Sequence, residues 1–251
     1  MRRILSLIAV MAVAGFALAG PAAAADASKT FTPDQEQAIR DVVRDYLVKH
    51  PEVLMEALQA LQEKQQAAEK DLRQKALAEH RQALIADPAS PVAGNPKGNV
   101  TVVEFFDYRC PYCKSVSDRL FDTIKADGNV RFVLKEFPIL GPASVFASKA
   151  ALAARKQGKY IEFHQALMAV RGNLDDGVVM SVAKSVGLDT KKLRDEMDGR
   201  DIAESLENNM KLAQALKIDG TPAFVVGDQL VPGAISTDAL KQLIDQTRKT
   251  N

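Results

Sequence analysis

Two cysteines separated by two residues are the side chains of this sequence best suited to chemistry. They are Cys110 and Cys113, in the stretch CPYC, and the 251 residues contain no other cysteine. Such a pair could exchange electrons as a disulfide, bind a metal ion or brace the fold. A disulfide that closes so short a loop gains little chain entropy, which argues against bracing. Electron exchange is therefore the first hypothesis.

The remaining metal-binding side chains argue against a zinc site. A closed zinc site needs four ligands, and besides the cysteines the chain offers His50, His80 and His164 as its only histidines. We interpret His164, which falls within a helical pattern, as a packed helix residue, with a catalytic role as the alternative. A two-thiolate Cu(I) site stays open because copper(I) favours soft ligands. No other cofactor is expected.

The flanking sequence predicts the elements that must position these cysteines. A run of β-branched and aromatic residues at 100–108 predicts a buried strand, and Pro111 fits the first turn of a following helix. Helical patterns fill about 142–217. Further strands and a last helix are predicted at 130–140, 222–228, 229–234 and 236–248. The order is β-α-β, a helical block, then β-β-α.

This arrangement assigns different roles to the two sulfurs. Cys110 comes at or just before the first turn of the helix, where unpaired amide groups and the positive helix end favour a thiolate. Cys113 lies one turn further along and is expected to be less exposed. Attack on a substrate is therefore assigned to Cys110, and resolution of the mixed disulfide to Cys113.

The N-terminus predicts export from the cytoplasm. Arg2 and Arg3 precede an apolar run, which a stretch of small residues follows. This pattern is typical of a secretory signal peptide, residues 1–25, with cleavage after Ala25 or one residue earlier. The alternative is an uncleaved membrane anchor. Export would bring the cysteines into an oxidising compartment, where cysteine pairs tend to form disulfides.

A long helical extension is predicted over residues 26–86. Within it, apolar residues recur at alternating spacings of three and four, beginning at Leu54, Leu58 and Leu61, which is a heptad seam. A polar helix with one thin apolar stripe cannot bury that stripe alone. We expect self-association through residues 31–72. The alternative is a helix that folds back on the main domain.

Composition limits the remaining possibilities. Residues 87–98 contain several Pro and Gly and are predicted to be a linker to a main domain at 99–251. The chain is 47% hydrophobic with a formal net charge of +1. This balance suits ordinary globular domains and provides no basic surface for nucleic acid. No nucleic-acid partner is expected.

Two stretches carry a resemblance to a known family. EFFDYRCPYC, and DGTPAFVVGD over a hundred residues later, resemble the thioredoxin superfamily, and the helical block between the strands is similar to its DsbA-like branch. The resemblance implies an α/β thioredoxin fold with an inserted helical domain at about 142–217, preceded by a helical oligomerisation extension. It also implies that Pro222 is a cis proline facing the disulfide, with Thr221 exposing its backbone to a substrate peptide.

The same resemblance implies further site residues. Glu104 matches the buried acid beneath the active site, where burial should raise its pKa so that it can accept or relay the proton of the second cysteine. Lys135, on the neighbouring strand, is expected to form an ion pair with this acid and so to tune the site; the alternative is a solvated edge lysine. Pro111 and Tyr112, between the cysteines, are expected to tune the reduction potential. Arg109 would help to stabilise a nearby thiolate.

The extension narrows the resemblance. It is similar to the N-terminal segment of suppressor-of-copper-sensitivity protein C and its Com1-like relatives, which implies a homo-oligomer with a trimer favoured. Tyr112 within CPYC and Thr221 before the proline resemble the isomerases of the superfamily more than its monomeric oxidase. Both features favour the shuffling of disulfides.

We therefore expect a periplasmic thiol–disulfide oxidoreductase that isomerises the disulfides of misfolded exported proteins through a Cys110 thiolate. A membrane thiol reductase or oxidase is the expected recycling partner. Two alternatives remain at this stage. One is a DsbA-like dithiol oxidase, and the other is a copper-binding or copper-tolerance protein that uses the two thiols without turnover.

Overall fold

The computed structural model describes residues 31–250, and the predicted signal peptide lies outside them. Two compact units divide the chain in sequence at Gln62 and Glu63. Within the described range, no helix has the length and apolarity needed to cross a membrane.

Helices and strands of the described range are as follows. The helices are α1 Pro33–Lys49, α2 Glu52–Glu79, α3 Arg81–Ile85, α4 Pro111–Asp127, α5 Pro142–Ala154, α6 Tyr160–Ala169, α7 Asp176–Ser185, α8 Thr190–Met197, α9 Arg200–Ala215 and α10 Thr237–Thr250. A short 3-10 turn follows α5 at Arg155–Gln157. The strands are β1 Val92–Gly94, β2 Val100–Phe106, β3 Val130–Glu136, β4 Ala223–Val226 and β5 Gln229–Pro232.

The five strands form one sheet in the order β1-β3-β2-β4-β5. β2 and β3 are parallel, joined by the crossover helix α4, and the other neighbouring pairs are antiparallel. β1 lies inside residues 87–98, so the predicted linker contributes an edge strand. Its three residues end in a glycine and give little local strand signal. Pairing with β3 therefore decides their conformation.

One face of the sheet leads to the cysteines. Because side chains alternate along a strand, Val102, Glu104 and Phe106 of β2 share this face with Leu134 and Glu136 of β3. We call it the site face. Its apolar residues pack in one core with residues of α4 to α10.

The opposite side of the sheet, which we call the back face, carries Val103 and Phe105 of β2 with Val133 and Lys135 of β3. Its apolar residues pack with α3, α9 and the C-terminal end of α2. Burial on both faces explains why β2 is mostly apolar on both of its sides.

Five helices, α5 to α9, fill residues 142–215 between β3 and β4. They coincide with the helical block predicted at about 142–217. Asp175 and Asp189 accept hydrogen bonds from backbone N–H groups at the starts of α7 and α8, which satisfies donors that have no partner within the helix.

The N-terminal helices expose most of their surface. α1 begins with a capping box between Thr32 and Gln35 and buries no side chain. The helix predicted to continue to residue 86 ends at Glu79, and α3 begins after His80. Large apolar side chains remain exposed along α1 and α2: Ile39, Val42, Val43, Tyr46, Val48, Leu54, Met55, Leu58, Leu61 and Leu72.

Candidate active site

The two thiols lie where β2 leads into α4. Cys110 is the N-cap of α4, with extended backbone, and Pro111 occupies the first helical position. Both cysteines are free thiols; Cys110 is 4% exposed and Cys113 is fully enclosed. This is the strand-to-helix placement that the sequence predicts.

The surroundings of Cys110 favour its thiolate. A hydrogen bond with the Cys113 side chain has the largest effect on the Cys110 pKa, and it lowers it. Burial acts in the opposite direction, but the Thr221 side chain and the backbone N–H groups of Cys113 and Tyr112 lower the pKa further. The net result lowers the pKa of Cys110 from 9.0 to about 5. The sulfur is therefore ionised and nucleophilic at neutral pH.

Cys113 has the opposite character. Burial, followed by its hydrogen bond with Cys110 and the negative charge at Glu104, raises the pKa of the Cys113 thiol far above its ordinary value. A group this reluctant to ionise needs a nearby base before it can attack. The geometry thus matches the assignment of attack to Cys110 and resolution to Cys113.

Thr221 and Pro222 lie directly beside the nucleophile. The peptide bond between them is cis, as the resemblance implies. In its protonated form, the Cys110 thiol can donate to the Thr221 carbonyl oxygen, which is 3.1 Å from its sulfur. Pro222 precedes β4, whose pairing with β2 sets Ala223 opposite Phe105. The core of the sheet therefore holds this segment against Cys110.

Glu104 is the buried acid beneath the cysteines. It is 2% exposed on the site face. Burial, and then the negative charges of Cys110 and Glu136, raise the pKa of Glu104 from 4.5 to about 8. Because Glu104 in turn raises the pKa of Cys113, the two groups are close enough to influence each other's protonation.

Lys135 does not pair with Glu104, contrary to the sequence prediction. Glu104 is opposite Leu134 in the β2–β3 register, so Lys135, one residue further, points to the back face. There its ammonium group donates to the Asp87 carboxylate at 2.9 Å and to the Ala83 carbonyl at 2.8 Å. Lys135 anchors the segment that includes α3 and does not belong to the redox site.

The surface next to the nucleophile carries exposed apolar side chains. Tyr112 is 65% exposed and Leu140 is 41% exposed. Residues 107–110, which connect β2 to α4, form the active-site loop. Asp107 of this loop is buried and accepts a hydrogen bond from the Leu140 backbone N–H, which holds Leu140 against the loop. Arg109 donates to the Leu140 carbonyl at 2.6 Å and is not among the principal groups that lower the Cys110 pKa.

A buried polar cluster, which sequence reasoning missed, lies behind the active-site loop. It consists of Tyr108, Glu136, Tyr160 and His164, all at most 5% exposed. His164 is a packed helix residue, as predicted, and burial lowers its pKa to about 3. Glu136 at the end of a predicted strand was the available signal, but no spacing links these four positions in the sequence.

Two family comparisons match different parts of the chain. Residues 101–245 match the DSBA-like thioredoxin domain, and residues 35–68 match the Copper resistance protein ScsC N-terminal domain. The first match covers more than half of the chain and includes both cysteines and the Thr221–Pro222 pair.

Solved structures agree with this division. A thioredoxin-like oxidoreductase from Silicibacter pomeroyi is 48% identical, with a TM-score of 0.66, and the alignment covers 67% of this chain and 98% of that chain. Proteus mirabilis ScsC in a transitional conformation is 35% identical, with a TM-score of 0.66 and coverage of 88% and 100%. The expected thioredoxin fold with a helical insertion and an N-terminal helical segment is confirmed.

Curated proteins give related matches. The thiol:disulfide interchange protein DsbA of Bordetella pertussis is 31% identical over 173 residues, 63% of this chain and 82% of that protein. By contrast, the chain spans only 24% of the length of Na(+)/H(+) antiporter NhaA 1 of Salinispora arenicola, to which it is 29% identical over 155 residues.

Proposed function

Because the chain belongs to the family of DsbA-like thioredoxin-domain proteins, it is a thiol–disulfide oxidoreductase, and we propose that it acts as a disulfide isomerase on misfolded exported proteins. The observation that carries this proposal is the row of exposed apolar side chains on α1 and α2. An oligomer formed through them would present several active sites to one substrate and raise their effective concentration.

Isomerisation would begin at Cys110. Its thiolate attacks one sulfur of a substrate disulfide, which forms a mixed disulfide and releases the other substrate sulfur as a thiolate. The released thiolate attacks a second disulfide of the substrate and frees a different substrate thiolate. That thiolate attacks the substrate sulfur of the mixed disulfide, so that a new substrate disulfide forms and the Cys110 thiolate leaves. No net electrons are transferred. The low Cys110 pKa favours this last step because a stabilised thiolate is a good leaving group.

Cys113 would provide an exit when rearrangement stalls. It transfers its proton to ionised Glu104 and attacks the Cys110 sulfur, which frees the substrate as a thiolate and leaves a Cys110–Cys113 disulfide. Glu104, with a pKa of about 8, is suited to hold a proton reversibly near neutral pH. A membrane thiol reductase would then return two electrons to the pair.

The surface beside Cys110 suits unfolded polypeptides. The Thr221 backbone next to the sulfur can pair with an extended peptide, as an added strand does. Tyr112 and Leu140 offer apolar contacts to side chains that a misfolded protein exposes. Neither contact depends on a particular sequence, as expected for an enzyme with many clients.

The partner for the exposed face of α1 and α2 would be further copies of the same chain. The seam that includes Leu54, Leu58 and Leu61 follows the spacing by which identical helices pack against one another. A trimer is the form we favour. Residues 1–25 would direct export to the periplasm, and one similar structure is described as a periplasmic thioredoxin-like protein from Salmonella enterica.

Refolding of a scrambled disulfide substrate tests the isomerase proposal. The full chain should restore the native pairing faster than a thiol buffer does. A variant with Leu54→Lys, Leu58→Lys and Leu61→Lys should sediment as a monomer, lose isomerase activity and keep its exchange with small disulfides. Equal activity of monomer and oligomer would refute the oligomer argument, and no gain over buffer would refute the isomerase.

A matched control changes charge without touching the seam. Gln62, Gln66 and Ala67 are also exposed on α2, and their replacement by lysine adds the same charge outside the heptad positions. This variant should stay oligomeric and active. A loss of activity here would assign the effect to charge and not to association.

The low Cys110 pKa also favours a second candidate, a dithiol oxidase. A stabilised thiolate stabilises the reduced form, so the oxidised protein donates its disulfide readily. An oxidase would rest oxidised in its compartment, recycled by a membrane oxidase, whereas an isomerase would rest reduced. Trapping the thiols of Cys110 and Cys113 in living cells separates the two.

A further inference from the structure

Glu136 is a second acid on the site face, and no step of the exchange reaction described above uses it. It ends β3 and is fully enclosed. In the parallel register Glu136 is opposite Phe106 and Glu104 is opposite Leu134. The two acids therefore lie on neighbouring strands of one face, two positions apart. A buried carboxyl without a cation is costly, which raises the question of what it does.

The Glu136 carboxyl is held by a short chain of hydrogen bonds. The hydroxyls of Tyr108 and Tyr160 donate to its Oε1 at 2.9 Å and 2.7 Å. The Tyr108 oxygen also lies 3.0 Å from Nδ1 of His164. Glu136 Oε2 makes no hydrogen bond of normal geometry within the described chain. Tyr108 is two residues before Cys110, so this series of hydrogen bonds reaches the active-site loop.

The hydrogen bonds that link Glu136, Tyr108 and His164 can form with either protonation state of Glu136. With Glu136 ionised, Tyr108 donates to the carboxylate and accepts a hydrogen bond from Nδ1–H of neutral His164. With Glu136 protonated, its hydroxyl can donate to the Tyr108 oxygen while Tyr108 donates to Nδ1, and the one additional proton lies on Nε2 of His164, which has changed to its other neutral tautomer. Both hydrogen bonds persist in the two arrangements. A proton can therefore arrive or leave without disruption of the packing.

In the described part of the chain, the groups that face Glu136 from the neighbouring elements include no lysine or arginine with a marked effect on its pKa. Burial has the largest effect and raises its pKa to about 8, against hydrogen bonds from the surrounding hydroxyls. The groups that surround Glu136 are Glu104 on β2, Tyr108 and Asp107 in the active-site loop, Ser148 on α5, Tyr160 and His164 on α6, and Asn209 on α9.

Glu136 acts on Glu104 through its charge. An ionised Glu136 is one of the causes that raise the Glu104 pKa. Because the interaction between two acids is mutual, they titrate as a pair. With Glu136 neutral, Glu104 gives up its proton at a lower pH. With Glu136 ionised, Glu104 holds its proton more firmly.

We propose that Glu136 is a positioning residue for proton transfer at Cys113. Its carboxyl is held by Tyr108 and His164, and the charge on that carboxyl determines when Glu104 is free to take the Cys113 proton. In that step the proton passes from the Cys113 sulfur to the Glu104 carboxylate while Cys113 attacks Cys110. The inference rests on thiol–disulfide exchange at the two cysteines and does not require isomerase activity.

Stopped-flow reaction of the reduced full chain with oxidised glutathione tests this role. The release of the second glutathione measures attack by Cys113, and a Cys113→Ala variant isolates the first attack by Cys110. We expect Glu136→Gln to move the midpoint of the pH profile for the second release downward by about 0.5–1 pH unit. In a Glu104→Gln background, Glu136→Gln should cause no further movement.

Glu162→Gln is the matched control, since Glu162 is an exposed acid on α6, and it should leave the profile unchanged. An unmoved midpoint in folded Glu136→Gln would overturn the proposal, and so would an equal movement in the Glu104→Gln background. If Glu136→Gln does not fold, Tyr108→Phe takes its place. It removes a donor to the carboxylate, keeps Glu136 neutral to higher pH and should move the midpoint downward; no movement would again overturn the proposal.

Discussion

The two faces of the central sheet treat buried charge in opposite ways. On the site face, Glu104 and Glu136 have no cationic partner among residues 31–250, and burial raises the pKa of each to about 8. On the back face, Lys135 is 1% exposed but pairs with Asp87 at 2.9 Å. The two acids can thus change protonation near neutral pH, whereas Lys135 and Asp87 stabilise each other's charged form.

The site face thus carries the buried acids suited to proton transfer, and the back face carries the ion pair that attaches the α3 segment to the sheet. Unpaired acids next to a thiol are costly to stability and useful for proton transfer. A paired lysine contributes nothing to proton transfer, but its bonds to Asp87 and Ala83 hold the segment that includes α3 against the sheet. Changes on the site face should therefore alter how reactivity and stability depend on pH, whereas changes on the back face should weaken the attachment of the α3 segment and leave the thiol titration unchanged.

The largest expected shift is at Cys110 itself. Its thiolate absorbance at 240 nm should titrate with a midpoint at about pH 5, against an ordinary value of 9.0. Because the folded pKa is the lower one, the stability gained by the reduced protein is fully present above about pH 9 and is lost as the pH falls through about 5. A midpoint near 8 would remove the electrostatic basis of the site.

On the back face, Asp87→Asn should lower the free energy of unfolding by about 3 kcal/mol, since it leaves the Lys135 charge buried without a partner. Urea unfolding measures the loss. The thiolate midpoint of Cys110 should not change, because Lys135 points away from it. A shifted midpoint would contradict the separation of the two faces.

On the site face, Glu104→Gln should raise the free energy of unfolding at pH 7 by about 3–4 kcal/mol. The folded pKa is about 8 against 4.5 ordinarily, so the unfolded chain ionises first and stability falls as the pH rises between these values. At pH 7, about 2.5 pH units above the ordinary pKa, the buried acid lowers the free energy of unfolding by about 1.4 kcal/mol for each of these units. The gain should vanish at pH 4, and urea unfolding at both pH values measures it.

The smallest effect should come from an exposed ion pair. Lys149 and Asp198 approach to 2.9 Å, but the Asp198 side chain is 83% exposed. Asp198→Ala should change the free energy of unfolding by less than about 1 kcal/mol, because solvent screens such pairs. A loss as large as that of Asp87→Asn would show that burial is not what distinguishes the two pairs.

Local sequence was sufficient to predict the nucleophile. A strand that ends directly before CPYC, with Pro111 suited to a first helical turn, places Cys110 at the N-cap without knowledge of any other element. Glu104 was identified as the buried acid by family resemblance, and its place inside a largely apolar strand agrees with burial. The cis bond before Pro222 came from family resemblance, since the local sequence alone allows a trans proline.

Residues that depend on register could not be assigned in this way. Lys135 and Glu136 are adjacent in sequence, yet one serves the back face and the other the site face. A shift of one residue in the β2–β3 pairing would exchange them. The sequence interpretation chose Lys135 as the partner of Glu104 and overlooked Glu136. β1 was missed for a similar reason, since pairing with β3 creates that strand.

By itself, the sequence determined the pair of thiols, their unequal roles and the elements that flank them, because helix and strand signals act over a few residues. Only the tertiary structure decided which buried charges meet. It brought Thr221 to Cys110 across 111 positions and Tyr108 to His164 across 56. Burial then shifted the pKa values of Glu104 and Glu136, since loss of water acts on a charge only where the whole fold encloses it.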